Sequence, residues 1–311
     1  MTLVSVVINN YNYGRFLSQA IDSALGQTHP KCEVIVVDDG STDNSREILA
    51  SYGDRIHTVL KRNAGQSSAF NAGYAASSGE LVCWLDSDDL FLPDKVRTVE
   101  GALAAHPGAG WCFHTVRYFR EEPTEVTGPP GAAVPATRQV DLRARMKRGT
   151  VNWEAPPTSG LCFRRSLLDQ ILPMPEREGV TLHDNFQKFA AIALSEGVVI
   201  ERDLSLQRLH EANAYTLRED RDRLKARVEV LTALCLRDRI PDIARFTDKR
   251  FAFGLALFAR SRGINKGDQE TVKTYLSTVP PARRAEVALR ALYHLFAPAW
   301  RRARDSVIRS P

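Results

Sequence analysis

The chain has 311 residues, 43% hydrophobic and 25% charged, a globular composition that excludes disorder, collagen-like repeats and low-complexity fibres. Its length suits one large α/β domain with an appendage or two modest domains, and no apolar run approaches the ~20 residues that span a bilayer. The net charge is +5, and residues 281–311 hold all of it, with seven arginines against Glu286 and Asp305. A formally neutral remainder gives no reason to expect a nucleic-acid partner.

The first 120 residues alternate between strand and helix periods. Leu3–Asn9 is β-branched and short, which predicts a buried strand rather than a signal peptide, since no basic segment precedes it. Arg15–Gln27 has apolar residues at helical spacing. Glu33–Val37 predicts a second strand, and Asp43 is placed to cap a helix ending at Tyr52. Arg55–Leu60 and Glu80–Leu85 are expected strands, Gly65–Ala76 and Pro93–Ala105 expected helices. Trp111–Phe119, Thr158–Phe163 and Val198–Glu201 follow as strands. Helices are expected from Arg165 and over Asp184–Glu196, and a Pro- and Gly-rich loop over Glu121–Thr137. From Tyr215 to Arg309 only helical periodicity remains, broken at Pro241, Gly263 and Pro280-Pro281. The domains expected are therefore 1–214 and 215–311.

Such alternation implies parallel strands joined by helical crossovers, and ligands bind beyond the carboxyl ends of those strands. Three polar clusters fall there: Asn10-Tyr11-Asn12, Asp38-Asp39-Gly40-Ser41 and Asp86-Ser87-Asp88-Asp89. Asp86 and Asp88, one residue apart after a strand, are hard oxygen donors that suit Mg²⁺ or Mn²⁺ held with substrate phosphates. A polar turn uses the same residue types, and Asp-x-Asp also serves aspartyl nucleophiles. Asp38 and Asp39 can accept hydrogen bonds from a base or a ribose while a neighbour caps the next helix. No Gly-x-Gly-x-x-Gly or P-loop occurs. The five cysteines are scattered, with no Cys-x-x-Cys, which argues for a reducing cytosol over a disulfide framework or a zinc site.

Four segments in order carry a resemblance. They are Val4-Ser5-Val6-Val7-Ile8-Asn9-Asn10-Tyr11-Asn12, Ile35-Val36-Val37-Asp38-Asp39-Gly40-Ser41-Thr42-Asp43, Asn63-Ala64-Gly65-Gln66-Ser67-Ser68-Ala69-Phe70-Asn71-Ala72-Gly73 and Gly79-Glu80-Leu81-Val82-Cys83-Trp84-Leu85-Asp86-Ser87-Asp88-Asp89. Together they resemble the family 2 glycosyltransferases, closely over 1–120 and more loosely to about residue 215. One departure is Asn9, where proline is common in the family.

The resemblance implies a GT-A fold: α/β, Rossmann-like, with a mostly parallel central sheet, here followed by a C-terminal helical appendage. It implies an inverting, metal-dependent transfer of one sugar from a nucleoside-diphosphate sugar, most readily a UDP-sugar, to an acceptor hydroxyl on a glycan or lipid-linked molecule, in cell-surface polysaccharide or glycoconjugate synthesis. By the same resemblance, Asn10, Tyr11, Asp38, Asp39, Asn63, Gly65, Asp86 and His210 bind the nucleotide sugar, and Asp88 holds Mn²⁺ or Mg²⁺. The N–H groups of Asn63-Ala64-Gly65, before a helix, are placed to approach an anion. Asp184 is the expected base, with His183 as second candidate; Asp184 as a simple helix cap is the alternative. Arg208 or His210 neutralises the leaving group. The polysaccharide-synthase pattern Gln-x-x-Arg-Trp is absent, which favours single transfer. The rival reading is a nucleotide-sugar-binding protein without turnover. The expected location is the cytoplasm. Val287, Leu289, Leu292, Tyr293, Leu295, Phe296 and Trp300, with the arginines, either pack on other helices or form a membrane-surface helix that Pro298 interrupts.

Overall fold

The computed structural model describes residues 1–120, 136–151, 153, 155–176, 182–211, 221–261 and 263–308, with the side chains of residues 221 and 297–308 outside the description. Of the expected loop, residues 121–135 lie outside the described residues, as does the stretch 212–220 at the expected domain boundary. The chain divides into two compact units, 1–143 with 152–210, and 144–151 with 211–311.

In the first unit the strands and helices begin as the period alternation requires. They run β1 Val4–Asn10, α1 Gly14–Leu25, β2 Cys32–Asp38, α2 Ser45–Tyr52, β3 His57–Leu60, α3 Gln66–Ala76 and β4 Leu81–Asp86. β1 pairs in parallel with β2 and with β4, and β2 with β3. The register puts Asn10 opposite Asp38 and Asn9 opposite Asp86, so the three polar clusters end at one level. β1, β2 and β4 are buried along nearly their whole length, which accounts for their continuous apolar runs.

Beyond β4 the sheet is mixed. β5 Leu90–Phe91, α4 Lys95–Ala105, β6 Trp111–Phe119, β7 Thr137–Val140, α5 Arg143–Lys147, β8 Leu161–Arg164, α6 Arg165–Ile171, α7 Asp184–Leu194 and β9 Gly197–Arg208 follow. The strand order is β3-β2-β1-β4-β8-β6-β9-β5, with β7 on β9. β8 lies antiparallel to β4 and β6, while β9 runs parallel to β6. The α/β class read from the sequence is met.

Three local details differ from expectation. Thr158–Gly160 form a 3₁₀ turn, and the strand starts only at Leu161. β9 extends to Arg208, well past Glu201. α4 starts at Lys95 rather than Pro93, and Lys95 is fully buried, its ammonium 3.8 Å from the centroid of the Phe91 ring.

The second unit is helical apart from short connections. It holds 144–151, α8 Arg221–Arg239, α9 Ala244–Arg260, α10 Lys266–Thr278 and α11 Pro281–Ile308. Phe251 stacks on Tyr275 with centroids 3.9 Å apart, and Ala226, Val230, Leu257, Phe258 and Val287 complete this core. The breaks fall at Pro241, Gly263 and Pro280-Pro281 as expected. Pro298 does not interrupt α11, which continues to Ile308; a helix interior accommodates proline by losing one backbone hydrogen bond. Among the described residues no helix is long and apolar enough to cross a membrane.

Gly73 shows how closely α3 lies on the parallel strands. A Cβ there would come within 2.3 Å of Val7 Cγ1 and 3.1 Å of Val37 Cγ2. These atoms belong to β1 and β2 at the centre of the sheet, where neither can move without disturbing its neighbours. Gly73→Val is therefore expected to destabilise the protein by about 1–3 kcal/mol or more, read as a lower urea midpoint. An unchanged midpoint would show that α3 can lift away from the sheet.

Candidate active site

The site is assembled at the carboxyl ends of β1, β2 and β4. Asp86 is the last residue of β4, and a turn closed by the Asp89 N–H bond to the Asp86 carbonyl (3.0 Å) carries the chain back. Asp89 points inward and is buried. Its carboxylate accepts from the Ser159 hydroxyl at 2.6 Å and from the Arg208 N–H at 3.0 Å. The Ser159 oxygen also accepts from the Asp86 N–H at 3.2 Å. Burial, then the charges of Asp88 and Asp86, hold the Asp89 carboxyl well above the usual carboxylate range.

Asp88 meets His210: Oδ2 and Nε2 are 3.0 Å apart. The other His210 nitrogen, Nδ1, lies 3.2 Å from the Arg15 guanidinium. The imidazole sits against Phe16 and Tyr13, centroids 4.7 and 5.6 Å away. Arg208 comes from the end of β9. Its guanidinium is layered between Phe16 (4.5 Å) and Phe119 (4.6 Å). It donates to the Asp88 carbonyl at 3.1 Å and to Gln19 Oε1.

Asp184 opens α7, one residue after the N-cap His183. Its Oδ2 accepts from the Lys188 ammonium one turn on at 2.6 Å and from the Thr158 hydroxyl at 3.2 Å. The Asp86 carboxyl lies close enough to feel both the Thr158 hydroxyl and the charge of Asp184. Burial, then the charges of Asp88 and Asp184, push the Asp86 carboxyl up to about 8. His183 is buried with Nδ1 2.9 Å from Gln66 Oε1, and burial pushes its imidazole down to about 4, so it is neutral at pH 7.

On the other side of β1, Asp38 is fully buried. It accepts from the Ser41 N–H at 2.7 Å, with Arg46 3.8 Å away. The Ser41 hydroxyl accepts from Asn10 Nδ2 (3.2 Å) and the Asn12 N–H (2.9 Å). Asn10 Oδ1 is buried with no hydrogen-bond partner among the described residues. Asp39 is held by the Lys61 ammonium and by the N–H groups of Ala64 (3.1 Å) and Gly65 (2.8 Å). The loop N–H groups expected to face an external anion thus meet Asp39 itself. Asn63 and Arg62 line an open cleft with Gly40, Arg46, Leu60 and Lys61, and Tyr11, the residue after β1, is exposed.

The structure therefore gathers Asp86, Asp88, Asp184 and His210 on one side of β1, with Arg208, and Asn10, Asp38, Asp39, Asn63 and Gly65 on the other. Sequence reading missed Ser159, Lys61 and Lys188 as partners. Only the spacing of Asp184 and Lys188, four residues apart, signalled a pair. Among the described residues no three His, Cys, Asp or Glu side chains are grouped to hold an ion by themselves.

The raised Asp86 carboxyl has a measurable consequence. The folded chain keeps a proton that the unfolded chain releases, so stability falls as pH rises from the ordinary carboxylate value towards 8. In metal-free protein, Asp86→Asn is expected to gain stability at about pH 8 relative to the parent and to flatten the decline above about pH 5. Urea unfolding at the two pH values measures this. Parallel pH profiles for parent and variant would show that Asp86 titrates as an ordinary carboxylate.

Comparison with known proteins bears on the family and the fold. The model of glycosyl transferase family 2 matches residues 5–172. An uncharacterized glycosyltransferase of Nostoc sp. is 34% identical over 215 residues, which are 68% of this chain and 66% of that protein. One from Rickettsia typhi is 47% identical over 94 residues, 30% of each chain. This chain thus spans just under two thirds of the first relative's length and under a third of the second's. A putative teichuronic acid biosynthesis glycosyltransferase of Bacillus subtilis is 42% identical over 98 residues, 30% of this chain and 39% of that one. Among solved structures, S. aureus TarS superposes with a TM-score of 0.63 at 20% identity, covering 96% of this chain and 53% of TarS. That likeness shows the fold to be GT-A. With the family match extending over more than half of its length, the chain belongs to the family 2 glycosyl transferases.

Proposed function

We propose that the protein is an inverting, metal-dependent glycosyltransferase. It moves one sugar from a nucleoside-diphosphate sugar to an acceptor hydroxyl on a glycan or lipid-linked molecule, in cell-surface polysaccharide or glycoconjugate synthesis. The observation that carries this reading is the meeting of Asp88 with His210, 122 residues apart in the chain, beside Asp86 and Asp184. S. aureus TarS 1–349, of the same fold (TM-score 0.59, 19% identity, 96% of this chain and 87% of that one), has been solved with UDP-GlcNAc, which supports a UDP-sugar as donor. Residues 1–214 form the transferase domain in this reading and 215–311 a helical region. The five free thiols suit the cytoplasm.

The donor set fits Mg²⁺ or Mn²⁺. Asp88 offers a carboxylate, His210 an imidazole nitrogen, and a diphosphate supplies the remaining oxygens that the protein does not provide. An ion held there would supply Lewis-acid stabilisation of the diphosphate charge. Asn10, Tyr11, Asp38, Asp39, Asn63, Gly65 and Asp86 bind the nucleotide sugar, the carboxylate of Asp39 being fixed beforehand by Lys61 and two backbone N–H groups. The Asn10 Oδ1 atom, buried without a hydrogen-bond partner among the described residues, is an acceptor for a donor N–H or O–H of the ligand. Arg208 places positive charge beside the leaving group.

Asp184 takes the proton from the acceptor hydroxyl as that oxygen attacks C1 from the face opposite the diphosphate. The Lys188 ammonium and the Thr158 hydroxyl orient its carboxylate. His183, neutral and engaged with Gln66, is placed to support the start of α7.

Isothermal titration with a panel of nucleotide sugars tests the donor. Binding is expected to require Mn²⁺ or Mg²⁺ and to lose that requirement, with most of its affinity, in Asp88→Ala. A variant with unchanged metal-dependent affinity removes Asp88 from the metal site. Asp184→Asn is expected to keep donor binding and to lower transfer by roughly 10²–10⁴-fold. Transfer at the parent rate would exclude Asp184 as base and make His183→Gln the next measurement.

A further inference from the structure

Helix α11 carries two apolar faces. One belongs to the core of the second unit. There Val287 is buried, Ala291 packs against it, and the His294 ring meets Phe253 edge-on with centroids 5.4 Å apart. The other is open: Leu289, Leu292, Tyr293 and Phe296 are 67, 51, 55 and 50% exposed. Their spacing of three, four and seven residues makes a single stripe along the helix. Single exposed apolar side chains are ordinary on a protein surface, whereas a contiguous row of large ones marks a contact.

The charge identifies the occupant. Residues 281–311 hold seven arginines against two acids. Three of the seven are engaged within the unit, Arg283 with Asp248, Arg284 with the Val279 carbonyl at 3.0 Å and Arg290 with Glu286 at 2.8 Å. At 3.6 residues per turn, position 304 falls at the edge of the stripe beside Tyr293, while positions 290 and 301 on one flank and 284 and 302 on the other fall between the stripe and the core-facing side. A second copy of this chain seated on the stripe would bring two strongly basic helices together, a like-charge contact that opposes association. A nucleic acid would use the charge and leave the apolar stripe in water. A surface that is apolar beneath and anionic above satisfies both features.

We propose that α11 docks in the plane of an anionic lipid surface. Leu289, Leu292, Tyr293 and Phe296 enter the boundary between headgroups and acyl chains, and the arginine positions meet the lipid phosphates. Tyr293 suits such a boundary because its ring is apolar and its hydroxyl polar. The sequence left this stripe undecided between internal packing and a surface. The structure divides the described apolar residues, Val287 going to the core, Leu289, Leu292, Tyr293 and Phe296 to the exterior, and Leu295 lying half-buried between them. This inference stands apart from the transferase reading, since it uses no residue of the site.

Flotation of the full chain with phosphatidylcholine vesicles, with and without phosphatidylglycerol, tests it. The chain is expected to float with the phosphatidylglycerol vesicles at low salt and to stay behind with phosphatidylcholine alone. Binding should fall several-fold when added salt shortens the screening length from about 10 Å to about 3 Å. Leu292→Glu with Phe296→Glu, at exposed positions outside the core, should keep the parent circular dichroism and donor affinity and lower the floating fraction about tenfold or more. Replacing Arg301, Arg302 and Arg304 by Gln should remove the salt-sensitive part. The proposal is overturned if the parent does not float with phosphatidylglycerol vesicles, or if the two-glutamate variant floats equally well. It is also overturned if sedimentation shows a parent dimer that this variant converts to monomer, because the stripe is then occupied by a second copy.

Discussion

Taking the Asp89 carboxylate out of water would cost several kcal/mol if its oxygens were left bare. The chain supplies the Ser159 hydroxyl and the Arg208 N–H, and by doing so ties three distant segments together. Asp89 itself ends the turn after β4, Ser159 lies in the 3₁₀ turn before β8, and Arg208 ends β9. Ser159 adds a second tie, since its oxygen also receives the Asp86 N–H and its carbonyl accepts from the Ser205 hydroxyl. The positions of Asp86 and Asp88 relative to Thr158 and His210 follow from this knot.

The electrostatics of the site are organised around the same knot. Asp86, Asp88, Asp89 and Asp184 crowd one region, and the chain offsets that charge in different ways. Lys188 neutralises Asp184, His210 with Arg15 behind it faces Asp88, and burial keeps Asp86 and Asp89 protonated further up the pH scale than ordinary acids. On the far side of β1 the solution is simpler. Asp39 is bonded by Lys61 and two N–H groups, and Asp38 by the turn it begins. The two sides differ because the first is closed by strands that arrive from elsewhere in the chain, and the second by loops local to β2 and β3.

That difference also explains what the sequence made legible. The alternation through residue 86 depends on local period, so β1 to β4 and their helices were readable, and so were the acids at their ends. Asp184 and His210 were found through resemblance, and the structure brings them to Asp86 and Asp88. β5 is two residues long and β7 four, too short for any period to register. Lys188 has the spacing of a surface pair, and only the packing of α7 buries it. The N–H groups of Ala64 and Gly65 were read as open to an external anion because nothing local to them revealed that Asp39, 25 and 26 residues earlier, would occupy both.

The separation between Asp88 and His210 bears on the order in which the molecule forms. The parallel strands β1, β2, β3 and β4 with their crossovers lie within the first 86 residues and close through short loops, which favours early formation. Domains begin to fold from the amino end as synthesis proceeds. The partners of Asp88 and Asp89 on β9 and just after it emerge some 120 residues later, across a loop whose closure entropy must be overcome first. A nascent chain therefore carries acids at the carboxyl end of β4 without their partners through much of its synthesis; β8 covers the edge of β4, and the end of β9 completes the acid cluster.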